Sequence, residues 1–75
     1  MPNAQKATQK DYKLGRRIQK LRQHKEYTQE RLAEKIGVSV TWIGYIETGY
    51  RRPNLAMLSR IASALGVKVK DLIPF

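Results

Sequence analysis

Two short helical patterns joined by only three residues are the feature that most limits how this chain can fold. The first pattern carries apolar residues at Leu32 and Ile36, and the second carries them at Ile43 and Ile46, so each has one side suited to a core. A connection as short as Gly37-Val38-Ser39 sets the second helix across the first. The second helix is therefore expected to turn one face outward, away from the core.

Capping residues mark the ends of these helices and of two longer ones. Thr28, Ser39 and Asn54 are the residue types that cap helix N-termini, and Gly37 and Gly66 suit the left-handed residue that ends a helix. The predicted helices run from 11 to about 25, 28 to 37, 39 to 48, 54 to 66 and around 69 to 72. The predicted fold class is therefore all-α, with five helices.

The length of 75 residues fits one domain with a modest core. Residues 11–75 are expected to form it, and residues 1–10, which lack apolar periodicity, a flexible arm or an extra helical turn. The predicted core positions recur at helical spacing: Leu14, Ile18 and Leu21 in the first helix, and Leu55, Leu58, Ile61, Ala62 and Leu65 in the fourth.

The net charge of +9 predicts a polyanionic partner, because solubility alone needs only a modest charge. Nucleic acid is the first candidate and an anionic membrane surface the rival. The membrane is disfavoured on two grounds. The cations Lys13, Arg16, Arg17 and Lys20 are expected to be spread around the first helix, and its apolar stripe is needed for the core.

Composition argues against an enzyme, a metal site and a cofactor. The chain has no cysteine, and His24 is its only histidine, with no residue placed to act beside it as a nucleophile. No apolar run has the length of a membrane span or a signal-peptide core. The chain is therefore expected to be a cytoplasmic protein without catalytic residues.

The outward face of the third helix is the candidate reading surface. With Ile43 and Ile46 inward, about 100° per residue turns Thr41, Tyr45 and Thr48 outward. Val40, Trp42 and Gly44 lie on the flanks, where Trp42 is as suited to packing as to DNA contact. A glycine within a helix costs about 1 kcal/mol relative to alanine, which suggests that a DNA backbone or the second helix approaches closely at Gly44.

Several segments in the correct order resemble the Cro/C1-type, or lambda-repressor-like, helix-turn-helix family (XRE family). They are TQERLAEKIGVS at 28–39, WI at 42–43, IETG at 46–49, RPN at 52–54 and IASALGV at 61–67. The resemblance covers nearly all of residues 14–73. It implies a five-helix DNA-binding domain, usually a dimer on a palindromic operator, with the third helix in the major groove.

The resemblance also implies roles for single residues. It assigns base reading to Val40, Thr41 and Tyr45, with Trp42 left open, and a buried structural ion pair to Glu47 and Arg22. The expected phosphate-contacting residues are Gln29, Thr48, Arg51, Arg52 and Asn54. The best-known phage members often carry glutamines at the base-reading positions, so thymine-methyl packing and hydroxyl contacts must do more here.

The leading hypothesis is a sequence-specific regulator of transcription, repressor or activator, that binds double-stranded DNA as a homodimer and is associated with the nucleoid. The alternative is an antitoxin or adaptor-type module that binds a protein partner, with DNA binding secondary. Three apolar residues near the C-terminus, expected to be exposed, suit either dimerisation or such a partner: Val69, Ile73 and Phe75.

Overall fold

The computed structural model describes residues 8–75, and within that range all regular structure is helical. The helices are α1 (Gln9–His24), α2 (Gln29–Ile36), α3 (Val40–Glu47), α4 (Leu55–Leu65) and α5 (Val69–Leu72). The predicted all-α, five-helix architecture is confirmed. None of the helices in this range is long and apolar enough to cross a membrane.

The predicted caps form. The side-chain oxygens of Thr28, Ser39 and Asn54 accept hydrogen bonds from backbone N–H groups three residues on, at 2.9, 3.1 and 2.8 Å. Gly37 and Gly66 end α2 and α4 in the left-handed conformation, with φ of 74° and 72°. Because both ends of α2 and the start of α3 are fixed in this way, the turn between them has a defined geometry.

The start of α1 lies two residues earlier than predicted, at Gln9 instead of Asp11. The Thr8 hydroxyl accepts from the backbone N–H of Asp11 at 3.1 Å, and the Asp11 carboxylate accepts from the backbone N–H of Thr8 at 3.2 Å. This reciprocal capping box starts the helix upstream of its first apolar residue. Residues 9 and 10 of the predicted arm are therefore helical, and residues 1–7 lie outside the described residues.

The buried core draws on all five helices and includes Ile18, Leu32, Ile43, Ile61 and Leu72, each at most 1% exposed. Packing of α3 against α2 and α1 holds the third helix at the edge of this core.

Leu55 departs from the predicted core pattern because it is 70% exposed. It is the first residue of α4, whereas the buried residues of that helix, Ile61, Ala62 and Leu65, all lie in its second half. Two of the apolar residues predicted to be exposed near the C-terminus, Val69 and Ile73, are half-buried, and Phe75 is exposed.

Four cations of α1 share one face, which corrects the prediction that they are spread around the helix. Their spacing of three, four and seven residues places Lys13, Arg16, Arg17 and Lys20 on the same side. They line one groove together with Gln9, Tyr12 and Pro74. We call these four residues the α1 basic face. The second ground against a membrane surface still holds, since the apolar stripe of α1 packs in the core.

A close approach of α1 to the end of α3 explains Gly15, which the sequence pattern did not single out. A Cβ atom at Gly15 would lie 2.6 Å from the carbonyl oxygen and 2.8 Å from the carbonyl carbon of Glu47. Both are backbone atoms, so they cannot move aside as the end of a flexible side chain would. Only glycine lets the two helices approach this closely.

Replacing Gly15 by alanine should therefore destabilise the fold by about 1–3 kcal/mol, the usual cost of overpacking a core. Gly44→Ala is the matched control, because no atom outside its own helix backbone lies within 4 Å of a Cβ there. That variant should gain about 1 kcal/mol from helix propensity. Urea denaturation of both variants measures the difference, and stabilisation by Gly15→Ala would contradict the close approach.

Candidate nucleic-acid interface

The outward face of α3 has the predicted orientation. Ile43 and Ile46 are 1% and 2% exposed, whereas Val40 and Tyr45 are 38% and 41% exposed. Thr41 is exposed as well. The face thus offers a methyl group, a hydroxyl and a phenol to solvent, and none of these three side chains carries a charge at neutral pH.

Trp42 lies on the flank of this face and is half-buried against the core. It lines a shallow groove with Val38, Pro53 and Met57, between the start of α3 and the start of α4. The indole therefore contributes packing, which favours the first of its two predicted roles, while part of it remains exposed to solvent.

A buried ion pair fixes the C-terminal end of α3. The Arg22 guanidinium donates to both carboxylate oxygens of Glu47, from Nε at 2.6 Å and from Nη2 at 3.2 Å. Its Nη1 donates to the backbone oxygen of Tyr27 at 2.7 Å. The structural pair implied by the resemblance is therefore present, and it ties α1, the α1–α2 loop and α3 together.

Gln29 joins this network from the first turn of α2. Its Nε2 donates to Oε1 of Glu47 at 3.0 Å, which holds the half-buried amide in one orientation. An amide nitrogen carries two N–H groups, and this bond uses only one. The second N–H of a group fixed in this way remains available to an external acceptor.

Arg52 lies in the α3–α4 loop and forms a two-point ion pair with Asp11 of α1. Its Nε and Nη2 donate to the two carboxylate oxygens at 2.7 and 2.9 Å. The hydrogen bond to this guanidinium holds the pKa of Asp11 well below its usual range, and the same contact raises the pKa of Arg52. The pair uses two of five guanidinium N–H groups, so three remain free to meet an anion.

An aromatic and cationic cluster borders the reading face, and Tyr50 is the member of it that the sequence pattern missed. The rings of Tyr45 and Tyr50 lie 4.8 Å apart between centroids, and the Arg51 guanidinium lies 5.5 Å from the centroid of Tyr50. Tyr50 is 52% exposed. Its position between Gly49 and the arginines of a basic loop was the signal that could have pointed to it.

Two further residues predicted to contact phosphate have local partners. The hydroxyl of Thr48 lies 3.0 Å from the carbonyl oxygen of Gly44 and 3.2 Å from that of Tyr45, so its proton is engaged within α3. Asn54 caps α4 through Oδ1, which leaves both N–H groups of its amide for other acceptors.

Gly44 faces open space, because a Cβ atom added there would have no neighbour within 4 Å beyond its own helix backbone. Close packing against α2, one of the two explanations offered for this glycine, is therefore wrong. The other explanation, approach by an external backbone, remains a prediction.

The pair α2–α3, joined by a short turn and exposing one face of its second helix, defines a helix-turn-helix domain. A family model described as helix-turn-helix, HTH_3, matches residues 18–72. The chain belongs to this family. The match includes α2 to α5 and the last part of α1.

Individual relatives and solved structures agree with this assignment. The chain is 42% identical over 60 residues to the uncharacterized HTH-type transcriptional regulator YazB of Bacillus subtilis, which covers 80% of this chain and 87% of that protein. The restriction-modification controller protein C.AhdI of Aeromonas hydrophila superposes with a TM-score of 0.80 at 32% identity, over 83% of this chain and 94% of the other. The biofilm regulator SinR, solved in complex with DNA, superposes with a TM-score of 0.74 at 33% identity, over 79% of this chain and 95% of the other. Several other curated relatives are longer, and the chain spans only 40% to 56% of their length.

Arg22→Met should destabilise the fold by about 3–5 kcal/mol, because it leaves the Glu47 carboxylate buried without its cation. Arg31→Met is the matched control: it breaks the ion pair with Glu34, in which the side chains are 56% and 72% exposed. That loss should be below about 1 kcal/mol. Chemical denaturation gives the free energy of unfolding of both variants. Similar losses of stability would show that the buried pair contributes no more than the exposed one.

Proposed function

We propose that this chain is a sequence-specific, double-stranded-DNA-binding regulator of transcription that places α3 in the major groove. The observation that carries the proposal is the outward face of α3, where Val40, Thr41 and Tyr45 are exposed on a helix otherwise locked into the core. A solvated helix face is normally charged, whereas this one is uncharged and bordered by arginines.

The chemistry of this face suits base edges. The Val40 side chain and the methyl of Thr41 can pack on the C5-methyl group of thymine, and the Thr41 hydroxyl can donate to or accept from a base. The phenol of Tyr45 can reach a base or a phosphate. Trp42, half-buried on the flank, is given a smaller part in recognition.

Phosphate contacts would fix the register of α3 on the duplex. Gln29 has one free N–H, Arg52 has three, and the amide of Asn54 has two, so each keeps a donor after its internal bonds are made. Arg51 adds a cation beside Tyr50. We assign Thr48 a weaker contact, since its hydroxyl donates within the helix.

We also propose that the protein acts as a homodimer on a palindromic operator in the cytoplasm, bound to the nucleoid. One domain of this size buries too little DNA surface for high specificity, and two-fold symmetry doubles the contacts. The half-sites should then lie about 34–36 Å apart, one turn of the duplex.

An antitoxin or adaptor-type module is the second candidate. It is supported by an apolar groove of about 610 Å³ whose lining includes Leu14, Leu58, Ile73 and the exposed Phe75. The same groove would serve the homodimer. Sedimentation of the isolated protein separates the two candidates: a dimer fits the regulator, whereas a monomer that forms a tight complex with another protein and then releases DNA fits the adaptor.

Arg51→Ala should weaken binding to every duplex and reduce the slope of log affinity against log salt by about one. Arg51 is preferred to Arg52 for this test because it has no carboxylate partner in the described structure. Arg60→Ala is the control of equal charge, located beside Lys35 and Ile36 instead of α3. Titrations at several salt concentrations give the slopes, and equal slopes for both variants would remove Arg51 from the interface.

Thr41→Val keeps the methyl group and removes the hydroxyl, so it should change sequence preference at one base pair of each half-site. The expected loss there is about 1–3 kcal/mol if the hydroxyl contacts a base edge. Selection from random duplexes with the native protein and the variant measures this. Equal binding of the native protein to all duplexes would overturn the proposal of sequence specificity.

A further inference from the structure

The α1 basic face points away from the proposed DNA-reading helix. Gly15 and Arg22, which contact the end of α3, lie roughly 160° around α1 from the centre of the basic face at 100° per residue. The α1 basic face would therefore lie away from a duplex bound along α3. Its four cations have no part in the site described above.

The groove beside this face combines positive charge with apolar surface. It has a volume of about 470 Å³, and its lining contains no carboxylate side chain. Tyr12 is 48% exposed at its edge, with the Arg16 guanidinium 5.9 Å from the ring centroid. Pro74 adds a second apolar residue to the lining. Tyr12 and Pro74 thus form an apolar surface beside the four cations.

Arg17 anchors the groove to the C-terminal part of the fold. Its Nε donates to the backbone oxygen of Asp71 at 2.9 Å. The Asp71 carboxylate accepts from the backbone N–H of Lys68 at 3.0 Å. The Asp71 carboxylate is thus engaged in the cap of α5, and among the described residues no carboxylate forms an ion pair with the four cations of the α1 basic face.

We propose that this face binds an acidic segment of a partner protein. Carboxylates would pair with Lys13, Arg16 and Lys20, and an apolar or aromatic side chain would pack between Tyr12 and Pro74. A phosphodiester backbone matches the cations only, whereas an acidic segment with an apolar residue matches both parts of the groove. The proposal does not depend on DNA binding by α3.

Two fluorescent peptides test the proposal in the full chain. The first is a twelve-residue peptide of Glu and Asp with Phe and Leu placed among them. The second has the same length and charge, with each Phe and Leu replaced by Ser. Two variants change the α1 basic face: a double variant that combines Lys13→Gln with Arg16→Gln, and the single variant Tyr12→Ala. The control, Lys35→Gln with Arg60→Gln, removes the same charge from a groove lined by α2 and α4 residues.

The first peptide should lose at least fivefold in affinity on the double face variant relative to the control, and it should bind the native chain more tightly than the second peptide. Tyr12→Ala should remove the difference between the two peptides. Thermal melting confirms that all variants fold. Equal losses in face and control variants would overturn the proposal, as would equal affinity of the two peptides for the native chain. A larger loss for an unselected 20-base-pair duplex than for the first peptide would make the face a nucleic-acid surface instead.

Discussion

The buried ion pair between Arg22 and Glu47 is the interaction on which the position of α3 depends. Arg22 donates to both carboxylate oxygens of Glu47 and to the backbone oxygen of Tyr27, and Gln29 donates to the same carboxylate. The pair therefore connects α1, the α1–α2 loop, α2 and α3. A buried charge must be fully partnered to be tolerated, and no buried side-chain polar atom of the described residues lacks a partner. The pair therefore holds the C-terminal end of α3 against α1.

The network also explains how a small domain keeps a rigid surface without charged residues on it. Burial of Ile43 and Ile46 fixes the rotation of α3, and the Gly15 approach fixes its distance from α1. Because the core holds α3 in place, the side chains of Val40, Thr41 and Tyr45 are not needed for burial, and all three remain exposed. In the proposed interface, Arg51 and Arg52 of the α3–α4 loop would supply the charge that attracts DNA, and the uncharged face would supply the contacts to bases.

The sequence predicted those parts of the fold that local chemistry determines. Thr28, Ser39 and Asn54 mark helix starts, and the apolar periodicity of α3 gives its inward and outward sides. Two contacts between distant segments were missed, because nothing local shows that Gly15 meets the Glu47 backbone or that Arg52 pairs with Asp11. A third such contact, the Arg22–Glu47 pair, was expected only from the family resemblance. The one-sided arrangement of the α1 cations was readable from their spacing, and the prediction was wrong because it counted charges without projecting them on the helix. For the candidate site, the outward positions of Val40, Thr41 and Tyr45 followed from the sequence. The contact of Tyr50 with Tyr45, and the hydrogen bonds that Gln29 and Arg52 already make, required the structure.

We propose that α3 meets DNA through its uncharged outward face, with the arginine loop beside it. Backbone amide shifts of the labelled protein, followed during titration with a duplex recovered by site selection, test this directly. The largest changes should occur at Val40, Thr41 and Tyr45 and in the loop around Arg51. Changes centred on the α1 basic face or on α4 and α5, with α3 unaffected, would contradict the account.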